Sequence, residues 1–353
     1  MNKYLSNLAK GLEPYVPGEQ PKDGIYVKLN TNENPYPPAP EVFEAIKENS
    51  NDNLRLYPDP ESRELKAAAS KYYGVPENMI FAGNGSDEVL AFAFAAFYAG
   101  KKIIFPEVTY SFYPVYSRLF DVDFSEIPMT DCIKVNRNEF RKAGCGIIVA
   151  NPNAPTGELM DLDFISEIAM KNRDDVVLVD EAYIDFGGDS AVGITLEHEN
   201  LLVVQTFSKS RSLAGMRIGF GIGNQVLIDG LRRIKDSFNS YPLDRVAQAA
   251  GVAAFKADGY YREMSKMVIN TRIESIRRLR ELNFNVLESS ANFVFASHKK
   301  MKAADIYTEL KKRKVLVRYF GKEPIDNYIR ITIGTDGQMT KLFEELEKIL
   351  PCC

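Results

Sequence analysis

Val176-Val177-Leu178-Val179-Asp180-Glu181-Ala182-Tyr183 passes from unbroken β-favouring apolar residues into two carboxylates and a tyrosine. A segment with no polar face predicts a strand covered on both sides, as in a parallel sheet with helices above and below. Short apolar runs of the same kind stand at 79–82, 102–105, 145–150, 202–205 and 217–222. Helical patterns lie at 60–73, stopped by Gly74, at 86–98 and at 110–120. This alternation predicts an α/β fold with a mostly parallel sheet between helices. Ligands of such open sheets bind outside the carboxyl ends of the strands, which is where Asp180 falls.

Beyond the sheet, 260–282 reads as one long helix, with Ile269, Ile273, Ile276, Leu279 and Leu282 at three- and four-residue spacing. Strands at 285–287, 292–296, 315–317 and 328–333, with helices near 302–312 and 336–349, predict a smaller α+β unit. The 353 residues exceed the roughly 250–300 at which one core stops growing. The expected division is an N-terminal arm at 1–40, a large domain at 41–257 and a small domain at 258–353. Pro17, Pro21, Pro35, Pro37, Pro38 and Pro40 forbid a long helix in the arm and predict an extended segment laid over another surface.

With 45% hydrophobic and 26% charged residues, the chain has the composition of a globular protein, not a disordered one. A net charge of -4 with mixed signs argues against a nucleic-acid partner, which needs a basic stripe. The longest near-apolar run, 89–100, is too short for a bilayer, and the N-terminus has no apolar core before a cleavage site. A cytoplasmic protein is expected. Cys132, Cys145, Cys352 and Cys353 form no CxxC pair, which argues against a zinc ribbon or disulfide scaffold. The Cys352–Cys353 pair is read as a plain tail. His198 and His298, the only histidines, stand among charged residues and are expected at the surface.

Chemistry concentrates in three segments. Ala82-Gly83-Asn84-Gly85-Ser86-Asp87-Glu88 joins a strand to a helix, and its small residues and free amides suit a phosphate. Ser86 and Asp87 equally serve as helix cap and first-turn acid. Glu88 stands where a dinucleotide fingerprint has its third glycine, and no Walker lysine follows. Asp180 suits a protonated ring nitrogen, a metal, or a cap. In the segment from Gln205 to Gly219, Lys209 follows a strand at the same sheet edge. Nearby Arg217 is expected to lower its pKa and make it a better nucleophile, while Ser208 and Arg217 suit an anion. Together these are the parts that hold pyridoxal 5′-phosphate.

Four further segments accompany them: Asn30-Thr31-Asn32-Glu33-Asn34-Pro35, Tyr57-Pro58-Asp59, Asn151-Pro152-Asn153-Ala154-Pro155-Thr156-Gly157 and Arg330-Ile331-Thr332. In this order, across almost the whole chain, the sequence resembles the fold type I pyridoxal-phosphate-dependent aminotransferases, most closely the histidinol-phosphate aminotransferase family. The resemblance implies that Lys209 binds the cofactor covalently and then moves a proton, that Asp180 pairs with the ring nitrogen, and that Asn153 and Tyr183 bond its phenolic oxygen. Tyr110 would stack on the ring, and Gly85, Ser86, Asp87, Ser208 and Arg217 would hold the phosphate. Tyr57 would reach the neighbouring subunit's phosphate, making a homodimer with shared sites. Arg330, Arg318 and Asn32 would bind substrate.

The implied reaction converts L-histidinol phosphate and 2-oxoglutarate to imidazole-acetol phosphate and L-glutamate in histidine biosynthesis. In Ser240-Tyr241-Pro242-Leu243-Asp244, proline and aspartate replace asparagines common in relatives, so this segment does not decide the substrate. An aromatic amino acid aminotransferase and a threonine-phosphate decarboxylase share most cofactor motifs and stay open. A Rossmann-type dehydrogenase lacks support because of Glu88.

Overall fold

The computed structural model describes residues 3–350, so the reading of Cys352 and Cys353 falls outside the described residues. Seven strands form the main sheet, in the spatial order Ile80–Asn84, Ile218–Gly223, Leu201–Thr206, Val177–Asp180, Gly146–Ala150, Lys102–Pro106, Asp123–Ile127. Only Ile218–Gly223 runs against its neighbours; the other pairings are parallel. Alternate side chains feed two cores. Ile147, Val149, Val177, Val179, Leu201 and Val203 enter one, and Ile103, Phe105, Ile148, Leu178, Leu202 and Val204 the other. This two-sided burial is why the strands carry no polar face.

The fold is α/β as expected, with local differences. The edge strand Asp123–Ile127 escaped the sequence reading because Asp-Phe-Ser-Glu-Ile keeps its charged residues exposed and has no apolar run. The expected helix at 110–120 is shorter, Tyr113–Leu119, leaving Tyr110 in the turn before it. The 60–73 helix begins at Arg63 and ends on Gly74, whose φ of 71° closes it. A short helix, Asn7–Gly11, capped by Ser6, interrupts the arm.

A four-stranded antiparallel sheet follows, ordered Arg318–Tyr319, Ile329–Thr332, Phe293–His298, Phe284–Val286. The helix Asp258–Glu281 packs Tyr261 into the first core and Val268, Ile276 and Leu279 into the second. Ile273, expected on its buried stripe, is 60% exposed. Arg272 takes the inner position instead, donating to the carbonyls of Phe186 (2.9 Å) and Ala291 (2.6 Å). A hydrophobicity pattern cannot find a stripe built partly from a hydrogen-bonded arginine. Beyond the short helix the arm is extended: Val27–Lys28 pairs with Val315–Leu316, and the Leu29 carbonyl accepts from Thr332 N at 3.0 Å.

Both histidines are buried, which corrects their expected surface placement. His198 Nε2 lies 2.8 Å from Ser166 Oγ. His298 ends a strand, and its Nδ1 accepts from the amides of Lys300 (3.2 Å) and Met301 (3.0 Å). Burial pushes its pKa down, so the neutral ring is favoured. The charged neighbours in sequence point outward while the imidazole turns in to close the backbone. Among the described residues, no helix is long and apolar enough to cross a membrane, and no group of three or more His, Cys, Asp or Glu is placed to hold a metal ion.

Candidate active site

The strand register aligns Ala150, Asp180 and Val204, and sets Thr206 beside Gly219, so the sheet's carboxyl edge carries the chemistry. A cavity there is lined by Ser86, Asp87, Tyr110, Asp180, Tyr183, Ser208, Lys209 and Arg217, with Thr31, Glu33 and Thr206. These residues come from distant parts of the sequence and meet because Asp180 and Thr206 end strands, Ser86 and Asp87 open a helix, and the loops carrying Tyr110, Lys209 and the arm residues Thr31 and Glu33 fold over the same sheet edge.

Asp180 lies at the base. Tyr113 Oη donates to its Oδ2 at 2.9 Å and the Ala182 amide to Oδ1 at 3.3 Å. Burial outweighs both bonds and pushes the carboxyl pKa up to about 6. At the other end, the helix Gly85–Ala93 begins at the cavity, which its first-turn residues Ser86 and Asp87 line. A methyl group on Gly219 would overlap the Gly85 carbonyl carbon and the Ser86 nitrogen, so the strand and the turn touch backbone to backbone. Gly85 has φ 78°, and a side chain there would meet the Arg217 guanidinium at 2.5 Å. Arg217 Nη2 holds Asp87 Oδ2 at 2.8 Å, Tyr110 Oη donates to Asp87 Oδ1 at 2.9 Å, and Arg217 Nη1 reaches Ser208 Oγ at 3.4 Å. Burial, reinforced by Asp87, raises the pKa of Tyr110, so its hydroxyl stays protonated.

Lys209 stands between these ends. Its Nζ lies 5.7 Å from the centre of the Tyr183 ring and donates to the Thr31 carbonyl at 3.5 Å. Asn32 Nδ2 donates to Tyr183 Oη at 3.0 Å, and Thr332 Oγ1 bonds both the amide and the Oδ1 of Asn32 at 3.0 Å.

A second cavity shares Thr31, Tyr110, Tyr183 and Lys209 with the first and adds Tyr15, Asn30, Asn32, Arg318, Phe320 and Arg330. Arg318 and Arg330 are directly opposite in the antiparallel pair. Like charges at such positions repel unless something anionic lies between them. Arg330 sits 5.3 Å from the Phe293 ring centre and 5.6 Å from that of Phe320, with Nη2 on the Asn30 carbonyl at 3.0 Å and its buried Nε unpartnered. Burial, then Arg318, lowers its pKa from the usual guanidinium value.

Two expected residues stand apart. Asn153 is buried, its amide donating to the Val108 carbonyl and Thr156 Oγ1 at 2.9 Å each, and it lines neither cavity. Tyr57 is 78% exposed and stacks on Tyr241 at 4.6 Å, outside both cavities. Sequence reasoning missed Tyr113, Tyr15, Thr31 and Glu33. Glu33 pairs with Lys28 at 2.7 Å and Tyr15 stacks on Phe112 at 4.3 Å. The only signal for Tyr113 was its place three residues after Tyr110.

The donor set fits a cofactor that is anionic at one end, carries a protonated ring nitrogen at the other and presents an aldehyde to an amine. Helix amides, Ser208 and Arg217 suit the first, Asp180 the second and Lys209 the third. Fold and site together are those of the fold type I pyridoxal-phosphate-dependent transferases. The chain belongs to the aminotransferase class I and II family, whose family model matches residues 24–346. It is 52% identical over 352 residues to a histidinol-phosphate aminotransferase of Brachyspira hyodysenteriae, covering 99% of each chain. A histidinol-phosphate aminotransferase of Hydrogenovibrio crunogenus is also 52% identical, over 351 residues and 99% of both chains. Among solved structures, the histidinol-phosphate aminotransferase of Sinorhizobium meliloti in complex with pyridoxal-5′-phosphate superposes with a TM-score of 0.89 at 23% identity, covering 99% of this chain and 98% of that one.

Proposed function

We propose that this chain transfers the amino group of L-histidinol phosphate to 2-oxoglutarate, giving imidazole-acetol phosphate and L-glutamate in histidine biosynthesis. The observation that carries the substrate reading is the opposed pair Arg318 and Arg330 in a cavity that opens onto Lys209. A pocket used in turn by a phosphate monoester and a dicarboxylate needs cationic forks that suit both, and arginine supplies paired hydrogen bonds to either. The names of the curated relatives support this over an aromatic aminotransferase, a threonine-phosphate decarboxylase or a dehydrogenase.

The cofactor is pyridoxal 5′-phosphate, which when bound supplies an electron sink next to the substrate Cα. The backbone amides at Ser86 and Asp87, with Ser208 and Arg217, would bind its phosphate, Gly85 admitting the Arg217 guanidinium close to the turn. Asp180 would hold the proton of the ring nitrogen, and Tyr113 and the Ala182 amide orient that carboxylate. Tyr110 would cover the cofactor's ring, and Tyr183, whose hydroxyl is held by Asn32, would offer a hydrogen bond to its phenolic oxygen. Asn153 braces its own turn at Thr156 against the loop at Val108. Lys209, facing the cavity beside Tyr183, would be the group that takes up the substrate Cα proton and passes it on. We further take the chain as an arm at 1–40, a large domain at 41–257 and a small domain at 258–353, working in the cytoplasm as a homodimer in which Tyr57 serves the partner's site.

An amino-donor panel tests the reading. Purified holoenzyme is mixed with L-histidinol phosphate, L-phenylalanine or L-threonine phosphate and followed in the visible spectrum, with released CO₂ measured. Fastest conversion of the cofactor to its amine form by L-histidinol phosphate, without CO₂, is expected. Preference for L-phenylalanine, or CO₂ release, moves the function to one of the alternatives.

A further inference from the structure

We propose that Asn34 is a positioning residue for Lys209, tying the lysine's loop to the N-terminal segment that also grips the arginine-bearing strand. This rests on the transaminase role given to Lys209 above. Lys209 lies in a turn between the strands Leu201–Thr206 and Ile218–Gly223, where no sheet ladder reaches it and its carbonyl accepts only the Ser212 amide (3.2 Å) from within its own loop. The Asn34 side-chain amide donates to the carbonyls of Lys209 (3.1 Å) and Ser210 (3.2 Å). Its Oδ1 accepts from the Tyr36 amide at 3.1 Å, which fixes the orientation of the group from the other side. Ser210 Oγ is in turn bonded to Asp185, two residues beyond Tyr183.

The segment that carries Asn34 is itself held. The Asn30 carbonyl accepts from Arg330, Asn32 is bonded twice by Thr332 Oγ1, and Asn292 Nδ2 donates to the Asn32 carbonyl at 3.0 Å. Residues 30–34 therefore start on the strand Ile329–Thr332 and end on Lys209, which they meet at both its amine, through the Thr31 carbonyl, and its own carbonyl, through Asn34. A long, freely rotating lysine side chain delivers its nitrogen accurately only if its backbone is fixed. None of these contacts puts Asn34 on the substrate, so its effect falls on the lysine and not on affinity.

Asn34→Ser is the test variant. Serine keeps an oxygen for the Tyr36 amide, adds no charge and is too short to reach the Lys209 carbonyl. In the holoenzyme we expect kcat to fall on the order of 10- to 100-fold in both half-reactions, as for a slight misplacement of a reacting group. KM for each substrate should change by less than about threefold, because ground-state binding is untouched. The pH midpoint of the lysine-bound cofactor's visible absorbance should move from the wild-type value, because the Lys209 nitrogen is no longer held in the same place. Asn34→Gln, which keeps an amide donor, should recover part of kcat. Normal kcat with an unmoved midpoint, or a raised KM at unchanged kcat, overturns the proposal. If Asn34→Ser does not fold, Asn34→Asp keeps the volume and the Tyr36 contact, and the same split between kcat and KM decides. The absorbance titration needs no amino donor. Failure of the wild type to accept L-histidinol phosphate therefore overturns the substrate reading and leaves this test standing.

Discussion

Asp180 holds its charge in a place hostile to charge. Burial raises its pKa to about 6, with Tyr113 and Ala182 offsetting only part of the effect. Because the folded value lies above the ordinary one near 3.8, the folded chain binds the proton more tightly than the unfolded chain. Without cofactor, this group's contribution to stability is full below about 3.8, is lost as pH rises towards about 6, and is level above that. A protonated ring nitrogen reverses the preference. Cofactor affinity of the cofactor-free protein should strengthen as pH rises through about 6, with the midpoint higher in Tyr113→Phe and the dependence flattened in Asp180→Asn. Absorbance titrations across this range check it, and a flat wild-type profile contradicts it. Asp180→Ala should lose about 2–4 kcal/mol of barrier lowering while remaining folded, measured as kcat against a denaturation curve. Asp180 was legible because a carboxylate ends an apolar strand, and Lys209 and Arg217 because of their place after it in combination with the phosphate turn. Tyr113 was not, because nothing in the aromatic run from Tyr110 to Phe120 marks which hydroxyl turns toward a carboxylate held by another strand.

The strand Ile218–Gly223 shows what element-level reasoning captured and what it left out. Its existence followed from its apolar residues, but its direction and the meaning of Gly219 depend on the turn at Gly85, far away in sequence. A methyl group at Gly219 collides with backbone, whereas one at Gly221 meets first the end of the Leu231 side chain at 2.9 Å. Gly219→Ala should therefore cost about 1–3 kcal/mol of stability and also weaken cofactor binding by moving the phosphate turn. Gly221→Ala should affect stability with little loss of cofactor affinity. Denaturant unfolding beside cofactor titration separates the two, and equal affinity losses would refute the argument. The strand Ile329–Thr332 supports a second expectation. Arg330, enclosed by two rings, should matter to both half-reactions, while Arg318, more open, adds charge that a phosphate uses more than a carboxylate. Arg330→Ala should impair both half-reactions and Arg318→Ala should raise KM mainly for the phosphorylated donor. Equal losses for both substrates in Arg318→Ala would remove the case for phosphate selectivity.

The assembled molecule leaves one cofactor motif unused in its own cavity. Tyr57 stacks outward on Tyr241, and Leu54, Leu56 and Phe238 nearby in sequence to this pair are also exposed. The backbone beneath Tyr57 is nevertheless firmly held. Arg245 donates to the Tyr57 carbonyl at 3.2 Å, Gln248 to that of Asp59 at 3.0 Å and buried Lys235 to that of Pro60 at 2.9 Å. An exposed tyrosine on a clamped segment suits delivery to a second copy of the chain, and apolar side chains left in water beside it suit burial between copies. Light scattering should give the mass of a dimer. In a mixed dimer of Tyr57→Ala and Lys209→Ala, one site combines the intact Lys209 of the first chain with the intact Tyr57 of the second, and the other site has neither. Each variant alone should be inactive or nearly so, and activity should appear as subunits exchange after mixing. Tracking activity against exchange, followed with differently tagged chains, ties recovery to the mixed species. Complete exchange without recovery, with both parents inactive, would place Tyr57 in the service of its own subunit and remove the physical reason for a shared site.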